Sequence, residues 1–399
     1  MNAASTSSLD INFENTEIAF KSKDKNALIK SYWLFKAIGY NWLVKLGPGL
    51  VETAFKLKLP IEGIIKKTVF SQFCGGESMH ECNATMDELY NYGVGTILDY
   101  SVEGEQIEAN FDATTNETID TIKKAFNNPK IPFCVFKVTG LGRFDLLAKI
   151  NANEPLTATE ESEYARVKNR VYTICKTAHQ NKVRIFIDAE ESWIQDSIDG
   201  LCTEMMEEFN KEQCIVYNTL QLYRHDRFEF LKESITKAKQ NGYNYGVKLV
   251  RGAYMEKERE RAKTMGYDSP IQPTKSASDT DYNKALEYAL ANIDVVSICA
   301  GTHNEQSSLL LTQMMHQKGI AKTDTRIYFS QLFGMSDHLS FNLSNSGYNV
   351  AKYLPYGPVK SVLPYLFRRA AENTSVKGQA GRELNLISKE MQRRKSNTN

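Results

Sequence analysis

From Val94 onward, short apolar runs recur along the chain, each followed by a longer stretch of mixed polarity. The runs are Val94–Tyr100, Pro132–Val138, Val183–Ile187, Ile215–Leu220, Gly246–Val250, Val295–Cys299, Ile327–Leu332 and Val350–Leu354. Each is rich in β-branched or aromatic residues and short enough for a buried parallel strand. Successive runs begin roughly thirty to fifty residues apart, which leaves room for a crossover helix, although the last interval is tighter. Helical periodicity is clearest over Glu160–Gln180, Arg224–Asn241, Asp279–Asn292 and Gln306–Gln317. Eight strand–helix repeats without a nucleotide-binding glycine fingerprint predict an α/β protein, a (βα)8 TIM-like barrel rather than a doubly wound sheet.

Upstream, residues 1–24 are polar and expected to be loosely ordered. Ala27–Lys67 is apolar and punctuated by lysines, and Gly47-Pro48-Gly49 and Pro60 are predicted to break it into two or three helices. Gly75-Gly76 then turns into a helix around Met79–Tyr92. This divides the chain into an N-terminal helical accessory region (1–92) and the barrel (93–399). The arm either packs on the barrel or docks on a membrane or partner, since Trp33 and Trp42 among lysines suit an interface.

Charge narrows the class. Lysine plus arginine (49) nearly balances aspartate plus glutamate (48) in the 399 residues. No nucleic-acid partner held by phosphate contacts is expected. The seven cysteines are odd in number, scattered and without Cys-x-x-Cys, as suits reduced thiols better than disulfides or a zinc site. The first residues resemble neither a secretory signal nor an Arg-rich transit peptide, and no uncharged apolar run approaches the ~18 residues of a membrane span. The expectation is a soluble, cytoplasmic protein, with any membrane contact peripheral and on the inner face.

A barrel carries its chemistry at the carboxyl ends of the strands and in the loops after them. Polar residues gather there: Lys137 and Thr139, Asp188 and Glu190, Gln221, Lys248 with Arg251, Thr302 with His303, Gln331, and Tyr353. Lys248 and Arg251, three apart, point to opposite faces of a strand and should do different jobs. Arg251-Gly-Ala is a turn in which backbone can approach a phosphate, and the neighbouring Thr302-His303-Asn304 offers groups for phosphate or ribose. His303 lacks partners for a metal site, so no metal is expected. Asp188 could coordinate magnesium, but its neighbours read better as an ion pair with Lys137 or Lys248. After Val350–Leu354 comes a Pro/Gly turn at Pro355–Pro358 and a helix, whose first turn suits Pro358. In it Tyr365 stands one turn before Arg368 and Arg369, and Glu372 one turn after. The arginines are either a solvated basic patch or a bidentate clamp for a carboxylate, and the flanking tyrosines favour the clamp.

Gly-Val-Lys-Leu-Val-Arg-Gly-Ala-Tyr (246–254), Gln-Leu-Phe-Gly-Met (331–335), Tyr-Leu-Pro-Tyr-Gly (353–357) and Tyr-Leu-Phe-Arg-Arg-Ala-Ala-Glu-Asn (365–373) together resemble proline dehydrogenases. So do Leu-Asp-Tyr (98–100), Asp-Ala-Glu-Glu (188–191) and Thr-His-Asn (302–304). The likeness runs from about Phe70 to the C-terminus. It implies a distorted (βα)8 barrel with non-covalently bound FAD. It also implies oxidation of L-proline to Δ1-pyrroline-5-carboxylate, with electrons passed to a membrane quinone. By motif, Arg368, Arg369 and Lys137 would bind the substrate carboxylate. Leu332, Tyr353 and Tyr365 would close over the ring, Glu372 would orient an arginine, and Asp188 would fix Lys137. Ala189, Gln221, Lys248, Arg251, Gly252, Ala253, Thr302 and His303 would bind the cofactor, with Gln221 and Lys248 beside the isoalloxazine. Lys248 stands where many bacterial members carry arginine, which points to the mitochondrial-type branch. Tyr353 favours proline, since hydroxyproline-oxidising relatives have a smaller residue there. A separate pyrroline-carboxylate dehydrogenase is the expected pathway partner. The competing classes are a hydroxyproline-oxidising relative, a Schiff-base lyase or aldolase using Lys137 or Lys248, and a barrel scaffold without catalysis.

Overall fold

In the computed structural model, which describes residues 11–102, 106–375 and 379–397, the eight predicted runs form eight parallel strands. They are β1 (Val94–Tyr100), β2 (Phe133–Phe136), β3 (Arg184–Ile187), β4 (Val216–Gln221), β5 (Tyr245–Val250), β6 (Val296–Gly301), β7 (Ile327–Leu332) and β8 (Val350–Tyr356). They pair in sequence order and close through β1 and β8, whose register runs from Val94 opposite Val350 to Tyr100 opposite Tyr356. Both faces of each strand are apolar, which is why the sequence shows runs rather than alternation. Outward residues such as Leu98, Ile185, Val247 and Ile298 pack under the helices. Inward residues Ile97, Phe133, Val135, Phe186, Tyr217, Cys299, Ala351 and Tyr353 fill the barrel.

The amino end of the barrel is sealed. Phe133 stacks on Phe186 at 4.5 Å between ring centroids. The Arg184 guanidinium lies over Phe133 at 4.6 Å and over Tyr328 at 4.8 Å. Arg184 is the charged residue of this end, and the remaining charged inward residues gather at the carboxyl end.

Helices surround the barrel and extend it at both ends of the chain. Before the barrel come α1 (Thr16–Ala19), α2 (Lys25–Ile38), α3 (Asn41–Lys56) and α4 (Asn83–Tyr90). Between strands lie α5 (Glu108–Ala125), α6 (Phe144–Asn151), α7 (Ala158–Gln180), α8 (Ser192–Phe209), α9 (Arg227–Asn241), α10 (Met255–Met265), α11 (Lys275–Ala291), α12 (Glu305–Gln317) and α13 (Asp337–Asn345). α14 (Leu363–Ser375) and α15 (Gln379–Ser396) come after β8. No helix among the described residues is long and apolar enough to cross a membrane. All seven cysteines are buried free thiols.

The structure departs from the sequence reading in four places. Residues 11–24 are not loose: Phe13, Thr16, Ala19 and Phe20 are buried, and Arg394 on α15 donates to the Phe20 and Lys23 carbonyls at 2.9 and 2.7 Å. Residues 1–10 lie outside the described part. Second, Gly47-Pro48-Gly49 does not break a helix, because α3 runs straight through it and the break falls at Gly39–Tyr40. Pro48 forfeits one helical hydrogen bond, while Val44, Val51 and Phe55 hold the helix on a core shared with α14. Third, β8 continues through Pro355 to Tyr356, the chain turns at Gly357 (φ +144°), and α14 begins at Leu363 rather than Pro358. The Gly75 N–H donates to the Pro355 carbonyl at 2.8 Å, so the loop before the barrel extends the pairing at this end. Fourth, the helix ahead of the barrel is shorter than expected, covering Asn83–Tyr90.

Candidate functional site

Period-two alternation aims Asp99, Lys137, Asp188, Thr219, Gln221, Lys248 and Tyr353 into the carboxyl mouth of the barrel. Lys248 is buried, donates to Asp188 Oδ1, and lies 2.7 Å from the Tyr353 hydroxyl. That hydroxyl donates to Asp188 Oδ1 at 2.7 Å. Asp188, Lys248 and Tyr353 therefore close a triangle across β3, β5 and β8. Lys137 Nζ stands 3.9 Å from Asp188 Oδ2 and 3.6 Å from Asp99 Oδ1. The motif assigns Asp188 to fix Lys137; its tighter partners are Lys248 and Tyr353, because these reach it along the inner wall. Burial alone would raise the Asp188 carboxyl, but Lys248, Lys137 and the Tyr353 hydrogen bond outweigh it and hold it below its ordinary value. Burial, with Asp188 beside it, pushes the Tyr353 phenol well up.

A second group lines the rim over β4 to β6. Arg251, one residue beyond β5, donates to Asp279 at 2.6 Å, Thr302 Oγ1 at 2.7 Å and Ser307 at 3.0 Å. It and Lys248 thus point into different surroundings. Gly252 has φ +136°, and a Cβ there would meet the Tyr223 ring at 2.4 Å, so only glycine fits this close approach. The Ala253 N–H donates to Gln221 Oε1 at 3.3 Å, and Gln221 Nε2 donates to the Glu190 carbonyl at 2.6 Å. Ala189 is buried between Asp188 and Glu190 at the end of β3. Glu190 accepts from the Thr139 N–H at 3.1 Å and from its hydroxyl; burial raises this carboxyl to about 7. His303 is hydrogen-bonded through Nδ1 to Ser336 Oγ at 2.9 Å. Burial, then Lys352 and Arg369, push it down to about 3, which leaves a neutral imidazole at ordinary pH. Ser336 is left-handed (φ +50°) and its N–H donates to the buried Glu383 on α15 at 2.6 Å.

α14 roofs the mouth. The Arg369 guanidinium is buried, 5.0 Å from the centre of the Tyr365 ring and 3.1 Å from Glu372 Oε2. Arg368, one residue earlier, lies over Tyr254 at 5.7 Å. The two arginines therefore face different neighbours, one inward and one toward the loop after β5. Leu332 packs both with the core that holds Tyr365 and with the inner barrel that holds Tyr353, joining roof and mouth.

The sequence reading missed Asp99 as a partner of Lys137, Ser336 and Glu383 behind His303, and Lys352. The last is fully buried, faces outward from β8, and is 2.8 Å from Asp337, which also meets Lys23 at 3.1 Å. Asp99 was legible as the polar member of Leu-Asp-Tyr in an apolar run. The others depend on contacts across the chain that no local pattern announces.

The sequence pattern of the proline dehydrogenase family matches residues 82–382. Proline dehydrogenase 1, mitochondrial, of Dictyostelium discoideum is 32% identical over 426 residues, covering 95% of this chain and 74% of its own. The hydroxyproline dehydrogenase of Xenopus laevis is 30% identical over 412 residues, covering 94% and 88%. Proline utilization A of Bdellovibrio bacteriovorus shares the fold at a TM-score of 0.71 and 22% identity. The match covers 91% of this chain but only 38% of that one.

Proposed function

The chain belongs to the proline dehydrogenase family, and from that premise we infer that it oxidises L-proline to Δ1-pyrroline-5-carboxylate, using bound FAD and passing electrons to a membrane quinone. The observation that carries the reading is the convergence of Lys137, Asp188, Lys248 and Tyr353 in the mouth beneath Tyr365 and Arg369.

The rim residues fit FAD. Gly252 brings the backbone against Tyr223 without a side chain, beside Arg251 and Thr302, a cradle of the kind phosphates take. Thr219 Oγ1 is a buried hydroxyl with no hydrogen-bond partner among the described residues, one strand from Lys248 in register. Gln221, Lys248, Arg251, Gly252, Ala253, Thr302 and His303, with Ala189 beneath, would hold the cofactor. The chemistry FAD supplies is acceptance of a hydride from the carbon beside the ring nitrogen.

The chain's own residues position and desolvate. Arg369, oriented by Glu372, would bind the carboxylate with Arg368 and Lys137. Tyr353, Tyr365 and Leu332 would press on the pyrrolidine ring and exclude water. The Tyr353 hydroxyl is tied to Asp188 and Lys248, so its ring is fixed rather than mobile, which favours proline over its hydroxylated analogue. Asp188 is held ionised by its cations and is a poor proton acceptor at neutral pH; the amine therefore loses its proton to solvent. A Schiff-base role for Lys248 is disfavoured because a nucleophilic amine must be unengaged, and this one donates to Asp188. The enzyme would work as a peripheral protein on the inner face of a quinone-bearing membrane, with a separate pyrroline-carboxylate dehydrogenase downstream.

The test is the absorbance spectrum of the purified protein. It should be yellow and bleach anaerobically with proline. Arg369→Ala should raise the KM for proline about 10- to 100-fold, the loss of one charge-assisted contact. Colourless protein, or bleaching unaffected by Arg369→Ala, rejects the reading.

A further inference from the structure

We propose that the outer face of α3, with Trp33 of α2 beside it in sequence, is a docking surface for an anionic lipid bilayer. Trp33, Trp42, Leu46, Leu50 and Leu57 are 60%, 62%, 59%, 61% and 66% exposed. Tyr40, Leu59 and Ile64 are also exposed, so most of the large apolar side chains that the described residues leave to solvent fall within residues 33–64. Solvated apolar residues are ordinarily scattered singly, and a cluster of this kind marks an interaction site.

The helix geometry makes the cluster a face. At about 100° per residue, Trp42, Leu46, Leu50 and Leu57 project within an arc of about 80°. Val44, Val51 and Phe55 fall on the opposite side, where they pack against the core that contains Tyr365 and Leu366 of α14. α3 is thus apolar on two sides, and only one of them is covered.

Charge chooses the occupant. Between residues 25 and 67 the chain holds Lys25, Lys30, Lys36, Lys45, Lys56, Lys58, Lys66 and Lys67 against only Glu52 and Glu62, whereas the whole chain carries +1. The Lys36 ammonium lies 4.9 Å over the exposed Trp33 ring. Tryptophan and leucine flanked by lysine, with no helix among the described residues able to span, is the composition of an element lying in a lipid headgroup layer. A protein partner would need polar groups within the face to fix its register, and the Thr53 hydroxyl at its centre already donates to the Gly49 carbonyl at 2.7 Å. The surface carries this inference without the proline reading, and it deepens that reading. α3 rests on α14, and Lys360 ahead of α14 lies 5.2 Å over Phe55, so the docked face is one helix away from the roof of the mouth.

The experiment is sedimentation of the full chain, and of Leu46→Glu/Leu50→Glu, with phosphatidylcholine vesicles containing or lacking phosphatidylglycerol. The full chain should partition onto the anionic vesicles with a blue shift of tryptophan emission, and release as salt is raised. The double variant should bind at least tenfold more weakly. Its proline oxidation with a soluble dye should be unchanged, because both side chains are solvent-exposed and lie on the side of α3 opposite the one that meets α14. Full-chain protein that ignores anionic vesicles, or a variant that binds as well, overturns the proposal. So does a full chain that is dimeric without lipid and made monomeric by the two charges, since a second copy would then be the occupant. Loss of dye-linked proline oxidation in the unmutated chain with vesicle binding intact would instead sink the substrate reading alone.

Discussion

Asp188→Asn isolates the charge in the barrel mouth. The asparagine keeps the shape but removes the anion that faces Lys248 directly and Lys137 at 3.9 Å. Lys248 has a side chain only 6% exposed, walled by Phe186 and Tyr353, whose ring centres lie 4.9 and 4.4 Å from its Nζ. Breaking one side of a buried pair leaves an uncompensated charge and costs about 3–5 kcal/mol. Unfolding entropy of about 2.1 cal/mol/K per residue gives roughly 0.8 kcal/mol per degree for a chain of this size, so the thermal midpoint should fall by about 4–6 °C. Lys248→Met on top of Asp188→Asn removes the stranded cation and should restore about half of that loss, about 2 kcal/mol, so the coupling between the two positions exceeds that figure by the cost of Lys248→Met alone. Scanning calorimetry at one fixed rate, on flavin-loaded and flavin-stripped samples, separates this from a change in cofactor affinity. A drop below 1 °C for Asp188→Asn, or a double variant as unstable as the two single losses added together, would refute the reasoning.

The same geometry yields three further outcomes. Gly252→Ala should yield folded protein with little bound flavin, because the added methyl meets Tyr223 at 2.4 Å in a left-handed backbone; the flavin-to-protein absorbance ratio reads this, and a normal ratio argues against the cradle. Tyr353→Ser should lower kcat/KM for proline at least tenfold while raising relative activity toward hydroxyproline, and an unchanged ratio would remove Tyr353 from specificity. Glu190 is raised to about 7, so its neutral form is the one the fold favours, and stability falls as pH rises from about 4.5 through 7. Glu190→Gln escapes that loss. Its stability relative to the unmutated chain should improve by about 3 kcal/mol between pH 4 and pH 8, read as a pH-dependent difference in urea midpoint, whereas a pH-independent difference contradicts the shift.

The strands were legible because parallel strands buried on both faces leave short apolar runs, and none of the eight is off by more than two residues at either end. The mouth was legible for a related reason: Lys137, Asp188, Lys248 and Tyr353 are polar residues in or just after the carboxyl halves of apolar runs, where a barrel carries its chemistry. What was not legible needed the partner in three dimensions. Pro48 reads as a helix breaker until Val44, Val51 and Phe55 are seen holding α3 down. Asp188 reads as a partner for either lysine, and only the curvature of the wall gives the shorter contact to Lys248. Lys352 drew no reading from the sequence, since nothing local announces that it points outward into a buried pair with Asp337.

Asp337 is also met by Lys23, and Arg394 holds the carbonyls of Phe20 and Lys23, while β1 has β8 as a neighbour along its whole length. During synthesis the first hundred or so residues must therefore wait for a strand made some 250 residues later before they can settle, a delay of roughly ten to fifty seconds at ordinary translation rates. For all that time β1 has an open edge and the apolar α3 has no α14 to lie on. The cost of closing the barrel through its first and last strands is therefore a long interval in which an open strand edge and an apolar helix face need shielding from other chains.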